Sequence, residues 1–270
     1  DEIPAGLAEE QPGSLSAGLP ELDMLQSMQE RASLDEGNIC FAGAGCYDHH
    51  IPAAVWDIAS RGEFMTAYTP YQAEASQGSL QVIYEYQSLM TELMSQEVCN
   101  ASVYDGATAL AESILMSVRI KKNRANNILI PESLHPLYRQ ALKTLLPENI
   151  NLINIKYDPK TGVCDLDHLK EVIKNPNNIG NIAALAIPQP NFFGNLEPVD
   201  ELTDIAKSED ILTIAVVNPM TCSLLNPPGK WGSKQNNNIG VDITCGEGQP
   251  LGVPLSYGGP YFGFILTYFI

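Results

Sequence analysis

A stretch of hydroxyl, amide and carboxylate side chains lies at residues 63–78. Its polar members include Tyr68, Thr69, Tyr71, Gln72, Glu74 and Gln77. Pro70 is incompatible with an uninterrupted helix, and the stretch is too polar for a core strand. Tyrosines among amides and a carboxylate suit contact with a polar ligand. The stretch is therefore either a ligand-contacting loop or an ordered surface loop.

A second chemical feature is the turn Asp105-Gly106-Ala107-Thr108, which precedes an alanine-rich helical pattern. Small residues at a helix start leave its first amides free to bind an anion, and Thr108 adds a hydroxyl. Asp105 can instead be an ordinary N-cap that is kept for packing. The turn is thus a vestigial phosphate cradle or a capped helix start, and the sequence favours the capped start.

The elements that must position these residues alternate along the chain from residue 126 onward. Apolar runs at 128–130, 152–155, 182–187, 212–217 and 241–245 predict strands, and residues 261–270 predict a further one. Periodic stretches at 136–145, 165–174 and 199–208 predict helices between most of them. Such alternation predicts an α/β domain with a mostly parallel mixed sheet and helices on both faces.

The start of the chain has a different composition. Residues 1–20 are acidic and contain Pro and Gly, which indicates a surface arm. Leu22, Leu25 and Met28 then predict an amphipathic helix over Glu21–Ser33. We therefore divide the chain into an arm with its helix at 1–40 and a large domain at 41–270.

Composition excludes several classes of protein. A net charge of −17 opposes binding to nucleic acid or to an anionic membrane. The six cysteines have no metal-type spacing, and the adjacent His49 and His50 make a poor metal pair, so we expect no metal site. With no leader and no apolar run long enough to span a bilayer, a cytoplasmic protein with reduced thiols is expected.

Several motifs together resemble one family. They are GAGCYDHHIP from Gly43, TAYTPYQ from Thr66, SQG from Ser76, YDGATA from Tyr104, GEGQPLG from Gly246 and GGPYFG from Gly258. In this order they resemble the glycine cleavage system P-protein family over roughly residues 40–265. The first and fourth motifs are more similar to the first subunit of its split form than to the fused chain.

The resemblance implies the aspartate-aminotransferase-like fold of pyridoxal 5'-phosphate (PLP) enzymes. In that family the last predicted strand leads into a smaller C-terminal domain, so we expect this domain to be missing here and apolar surface to be exposed. The resemblance also implies that the N-terminal arm helps to hold subunits together. Tight glycine turns are expected at 246–252 and 258–263.

Two cofactor groups that the fold implies are not found at their expected places. Asn218 stands near the place of the carboxylate that pairs with the pyridine nitrogen, and an amide has no charge to offer it. Gln249 stands near the place of the Schiff-base lysine, and residues 235–270 contain no Lys, Arg or His. Lys230 and Lys234 precede the strand and are expected to be solvated.

The resemblance therefore implies a subunit without catalytic residues of its own. A second subunit would bind PLP, and together they would decarboxylate glycine, release CO2 and pass the aminomethyl group to the lipoyl arm of H-protein. Tyr68, Thr69, Tyr71 and Gln72 would line the interface cleft, with Glu74 and Gln77 behind them. The alternatives are a non-catalytic structural or regulatory paralogue and a self-sufficient PLP enzyme, which the missing lysine disfavours.

Overall fold

The computed structural model describes residues 4, 6, 16–39, 43, 47–65, 69–233, 240–256 and 258–268. The chain divides into two units, Asp1–Gly43 and Ala44–Ile270. The first contains helix α1, Glu21–Ser33, with the bounds that the sequence predicted. The acidic side chains of its first turn interact favourably with the helix dipole, and none of its residues is buried.

The second unit is an α/β domain. Its helices are α2 (Ala53–Ala59), α3 (Gln77–Met94), α4 (Gly106–Ile120), α5 (Pro136–Leu145), α6 (Leu166–Lys174) and α7 (Val199–Ser208). Its strands are β1 (Val98–Cys99), β2 (Asn127–Pro131), β3 (Asn151–Ile155), β4 (Ile182–Gln189), β5 (Leu212–Val217), β6 (Ile243–Glu247) and β7 (Gly263–Thr267). None of the helices in the described ranges is long and apolar enough to cross a membrane.

The seven strands form one mixed sheet in the order β1-β7-β6-β5-β4-β2-β3. Strands β3, β2, β4, β5 and β6 are parallel to one another, whereas β7 runs antiparallel to both β6 and β1. The parallel strands therefore end at one common edge of the sheet. In open α/β sheets this edge is where ligands bind.

The sheet has a separate hydrophobic core on each face. One core joins Met90 and Met94 of α3 to residues of α6 and α7, with Trp231 and Phe264. The other joins α4 and Leu142 of α5 to the opposite face. All eight residues of β4 are buried, because a central parallel strand is covered on both sides.

The predicted alternation of strands and helices is confirmed, and the largest differences in bounds are at two strands. We predicted 241–245 for the strand that is β6, and it runs instead over Ile243–Glu247. The predicted strand at 261–270 is β7, over the shorter Gly263–Thr267, and residues 269 and 270 lie outside the described ranges. The shift in β6 matters, because it places Glu247 at the carboxyl end of the strand.

Candidate functional site

A cleft of about 380 Å³ opens at the carboxyl edge of the parallel strands. Residues at the ends of β4, β5 and β6 form its floor, and the start of α5 forms a wall. Its lining includes Tyr47, His49, His135, Tyr138, Asn191, Phe192, Asn218, Thr221, Glu247 and Gln249. A concave site at this edge, with few polar groups among apolar ones, is the usual place for a small ligand in such a fold.

Aromatic rings cover one side of the cleft. The His135 ring lies 5.0 Å from the ring of Phe192, edge to face, and 5.4 Å from that of Tyr138. His135 also caps α5, because its Nδ1 accepts a hydrogen bond from the amide of Leu137 at 3.1 Å. This contact fixes the imidazole beside the cleft.

A buried carboxylate holds the loop between β4 and α7 against the loop after β2. Glu197 is only 4% exposed. Its Oε1 accepts hydrogen bonds from Ser133 Oγ (2.7 Å) and Asn191 Nδ2 (2.8 Å), and its Oε2 accepts one from the amide of Cys164 (2.7 Å). The amide of Glu197 donates to Gln189 Oε1 at 2.9 Å. These bonds satisfy the buried charge and position Asn191 in the cleft lining.

The start of α4 binds carboxylates of the chain itself. Asp105 Oδ1 accepts a hydrogen bond from the amide of Thr108 at 2.7 Å, the geometry of an N-cap. The amide of Gly106 donates to Glu247 Oε2 at 2.9 Å. Gly106 and Ala107 are buried, and Thr108 lines a different depression together with Tyr104 and Tyr261. Two of the first amides of α4, those of Gly106 and Thr108, are therefore engaged by carboxylates of the chain rather than free for a phosphate.

Glu247 links three separate segments. Besides Gly106, it accepts hydrogen bonds at Oε1 from the amides of Gln249 (3.1 Å) and Phe262 (3.2 Å). Burial raises the pKa of this carboxyl above its usual range; the three amides oppose the shift, and the Asp105 carboxylate adds to it. Among the described residues that line the cleft there is no Lys or Arg to balance this charge.

The two residues at the expected cofactor positions are committed to local contacts. Asn218 Oδ1 accepts a hydrogen bond from the amide of Met220 at 3.0 Å and caps the short 3-10 helix Pro219–Ser223. Gln249 is 6% exposed, and its Nε2 donates to the carbonyl of Val253. The cleft of this chain therefore does not fit PLP. The Gly106 amide, which could bind the phosphate, is bound to Glu247. At the expected places of the pyridine carboxylate and the lysine the chain has Asn218 and Gln249.

The polar stretch at 63–78, called the polar loop below, contributes none of its described residues to the lining of this cleft. Tyr71 is 84% exposed, Gln72, Glu74 and Gln77 are exposed, and Thr69 is half-buried. Tyr68 lies outside the described residues, as does Lys234. That these side chains line a shared cleft stays a prediction. Within the described ranges, no group of three His, Cys, Asp or Glu side chains is arranged to hold a metal ion.

Sequence reasoning missed the roles of His135, Glu197 and Glu247. His135 and Glu247 follow or end parallel strands, so the rule that ligands bind at carboxyl ends of strands could have indicated them. Glu197 gave no such signal, because it stands in a loop eight residues after its partner Gln189. Its burial depends on how the chain folds back after β4.

Comparison with known proteins shows similarity to one family. A family model described as glycine cleavage system P-protein matches residues 1–268. Two proteins named probable glycine dehydrogenase (decarboxylating) subunit 1 are similar: one from Legionella pneumophila (strain Corby), 52% identical over 99% of this chain and 57% of its own length, and one from Coxiella burnetii (strain Dugway 5J108-111), 55% identical over 98% and 56%.

Solved structures give the fold independently. The crystal structure of a glycine decarboxylase (P-protein) in inhibitor-bound form has a TM-score of 0.81 and 35% identity over 99% of this chain and 56% of that one. A Burkholderia pseudomallei sphingosine-1-phosphate lyase, 13% identical, has a TM-score of 0.66 over 98% and 62%. The chain thus has the aspartate-aminotransferase-like fold of PLP enzymes. It spans little more than half the length of the relatives it matches.

Proposed function

The chain belongs to the glycine cleavage system P-protein family, and on that premise we propose that it works as subunit 1 of a two-subunit glycine decarboxylase. With its partner, subunit 2, it takes part in the PLP-dependent decarboxylation of glycine. The products are CO2 and an aminomethyl group that passes to the lipoyl arm of H-protein. The similarity to relatives named subunit 1 over 98–99% of the chain carries this proposal.

PLP, in this proposal, is bound by the partner. The support is the cleft at the carboxyl edge, whose lining includes Asn218 and Gln249 near the places that the family resemblance gives to the pyridine carboxylate and the lysine. The α4 turn at Asp105 to Thr108 is then a vestigial phosphate loop, whose remaining role is to cap the helix. When bound to the partner, PLP supplies the electron sink for decarboxylation. The present chain supplies shape and polar contacts.

Exposed apolar side chains support association with a partner subunit. On α2 and α3 they include Trp56, Ile58, Val82, Tyr84 and Leu89, each more than 40% exposed. On α1, Leu22, Leu25 and Met28 are exposed as well. In each of the two units, large exposed apolar side chains on helices indicate surface that another subunit covers.

The polar loop has a role at this shared surface. Tyr68, Thr69, Tyr71 and Gln72 help to position glycine, PLP or the lipoyl arm, and Glu74 and Gln77 support them from behind. The exposure of Tyr71, which precedes α3 in the sequence, supports this role, since an exposed tyrosine offers both a ring and a hydroxyl to a second chain.

The cysteines support a location in the cytoplasm. The four described free thiols are Cys99, Cys164, Cys222 and Cys245, and free thiols are typical of proteins in that reducing compartment.

Exchange of carbon between glycine and labelled bicarbonate tests the proposal. Purified subunit 2, PLP and lipoylated H-protein are incubated with and without this chain. Exchange that depends on the chain is expected. A full-length subunit 1 from a relative is the positive control, and absence of exchange with this chain while the control is active would contradict the proposal for it.

A further inference from the structure

We propose that Glu247 is the built-in anion of this cleft: its carboxylate takes the place of a phosphate at the start of α4 and keeps phosphate-bearing molecules out of this chain. The observation is the contact of Glu247 Oε2 with the amide of Gly106 at 2.9 Å. This amide is the first of α4, and a helix start with small residues is where the fold offers amides to an anion.

The carboxylate of Glu247 has the surroundings of a bound anion. Three backbone amides converge on it, from α4 (Gly106), from the turn after β6 (Gln249) and from the loop before β7 (Phe262). Converging backbone amides form the concave donor sites that bind phosphates in other proteins. Here the anion is a side chain, so its binding joins three segments of the fold.

The space around the helix start is also filled. A Cβ atom at Gly106 would lie 2.0 Å from the Tyr138 hydroxyl and 2.9 Å from the amide nitrogen of Glu247. Tyr138 and Glu247 both line the cleft. The Glu247 carboxylate therefore occupies the Gly106 amide on the side of the cleft, and Tyr138 narrows the space beside it.

Charge, like shape, disfavours the binding of a phosphate in this cleft. A phosphate beside Glu247 would meet a carboxylate at close range in a partly buried place, where repulsion is weakly screened. Asp105 adds a second carboxylate near the same helix start. The described lining offers no Lys or Arg to attract a phosphate. The cleft thus selects against anions by space and by charge.

The inference deepens the proposed function, because it gives a physical reason for PLP to reside on the partner. It rests on contacts within this chain, so it can be tested without subunit 2. If the exchange assay fails and the following test succeeds, only the proposed function is lost. If the exchange assay succeeds and the following test fails, the proposed role of Glu247 is refuted and the proposed function is unaffected.

The test compares the wild type with Glu247→Ala and Glu247→Gln. Alanine frees the three amides and empties the space of the side chain, whereas glutamine removes the charge and keeps the space filled. Glu148→Ala removes an exposed carboxylate and is the control. Thermal unfolding is followed by circular dichroism with inorganic phosphate or with chloride at equal ionic strength. PLP and phosphate-free pyridoxal are then compared as probes by fluorescence titration.

Phosphate should raise the Tm of Glu247→Ala by about 2–4 °C over chloride and leave the other three proteins unchanged. PLP, but not pyridoxal, should bind to Glu247→Ala alone. If Glu247→Ala is unfolded in chloride, phosphate should restore its native spectrum. No phosphate-specific shift or recovery in Glu247→Ala would overturn the proposal, as would equal phosphate binding by the wild type.

Discussion

Replacing Glu197 by alanine should destabilise the protein and loosen the cleft. The carboxylate accepts hydrogen bonds from Ser133, Asn191 and Cys164 in a site that is 4% exposed. Each donor left unsatisfied costs about 1–3 kcal/mol. Three such donors, offset by relaxation and water entry, give an expected loss of about 4 kcal/mol in the free energy of unfolding.

The glutamine variant refines this expectation. Glu197→Gln keeps the volume and one acceptor oxygen, but its NH2 group faces a donor, so about 2 kcal/mol should be lost. Urea unfolding followed by circular dichroism measures both variants. The free energy of unfolding should fall by about 3 kcal/mol per molar urea, so the urea concentration at the midpoint of unfolding should be lower in Glu197→Ala than in the wild type by more than about 1 M.

The matched control is Glu201→Ala, which removes an exposed carboxylate from α7. Its midpoint should stay within about 0.2 M of the wild type, since exposed substitutions change stability by less than about 0.5 kcal/mol. Equal midpoints for Glu197→Ala and Glu201→Ala would refute the reasoning. The buried carboxylate would then contribute nothing through its three bonds.

Three further predictions concern the loop, the sheet and a buried thiol. Tyr71→Phe should lower the exchange rate of the assembled enzyme more than it lowers complex formation, while Tyr104→Phe, which changes a similarly exposed tyrosine before α4, alters neither; an unchanged rate in Tyr71→Phe counts against the loop. Gly263→Ala should cost about 2 kcal/mol or more, because its Cβ would lie 2.1 Å from the carbonyl oxygen of Asp105; a Tm equal to that of the wild type contradicts this packing. Burial raises the pKa of Cys245 from 9.0 to about 12, so the folded thiol stays protonated where the unfolded one ionises, and stability falls as pH rises from about 9 toward 12. Cys245→Ala should lose less stability between pH 9 and pH 10.5 than the wild type, and identical pH profiles would show that the thiol does not contribute.

Much of the fold could be predicted because it depends on local patterns. The continuous apolar run of β4 predicts a buried strand, and the periodic stretch of α7 predicts a helix. Both elements were located from the sequence. The antiparallel direction of β7 had no such signal, since its residues read like those of any buried strand. Strand direction is set by the connection, which a pattern does not encode.

The candidate site was predictable only in part, because it is assembled from distant residues. The sequence located Asn218 and Gln249 after two recognisable strands, where the structure also has them, and their replacement of the cofactor groups stays a prediction. The contact of Glu247 with Gly106 joins residues 141 positions apart, and nothing local to either one indicates it. Long-range hydrogen bonds of this kind appear only when the sheet order is known.

The most direct test of the account is to find which chain of the assembled enzyme carries PLP. The active complex with subunit 2 is reduced with borohydride, digested and analysed for phosphopyridoxyl-lysine by mass spectrometry. We expect the modified lysine to belong to subunit 2, with Lys230 and the other lysines of this chain unmodified. Stoichiometric modification of a lysine of this chain would contradict the account.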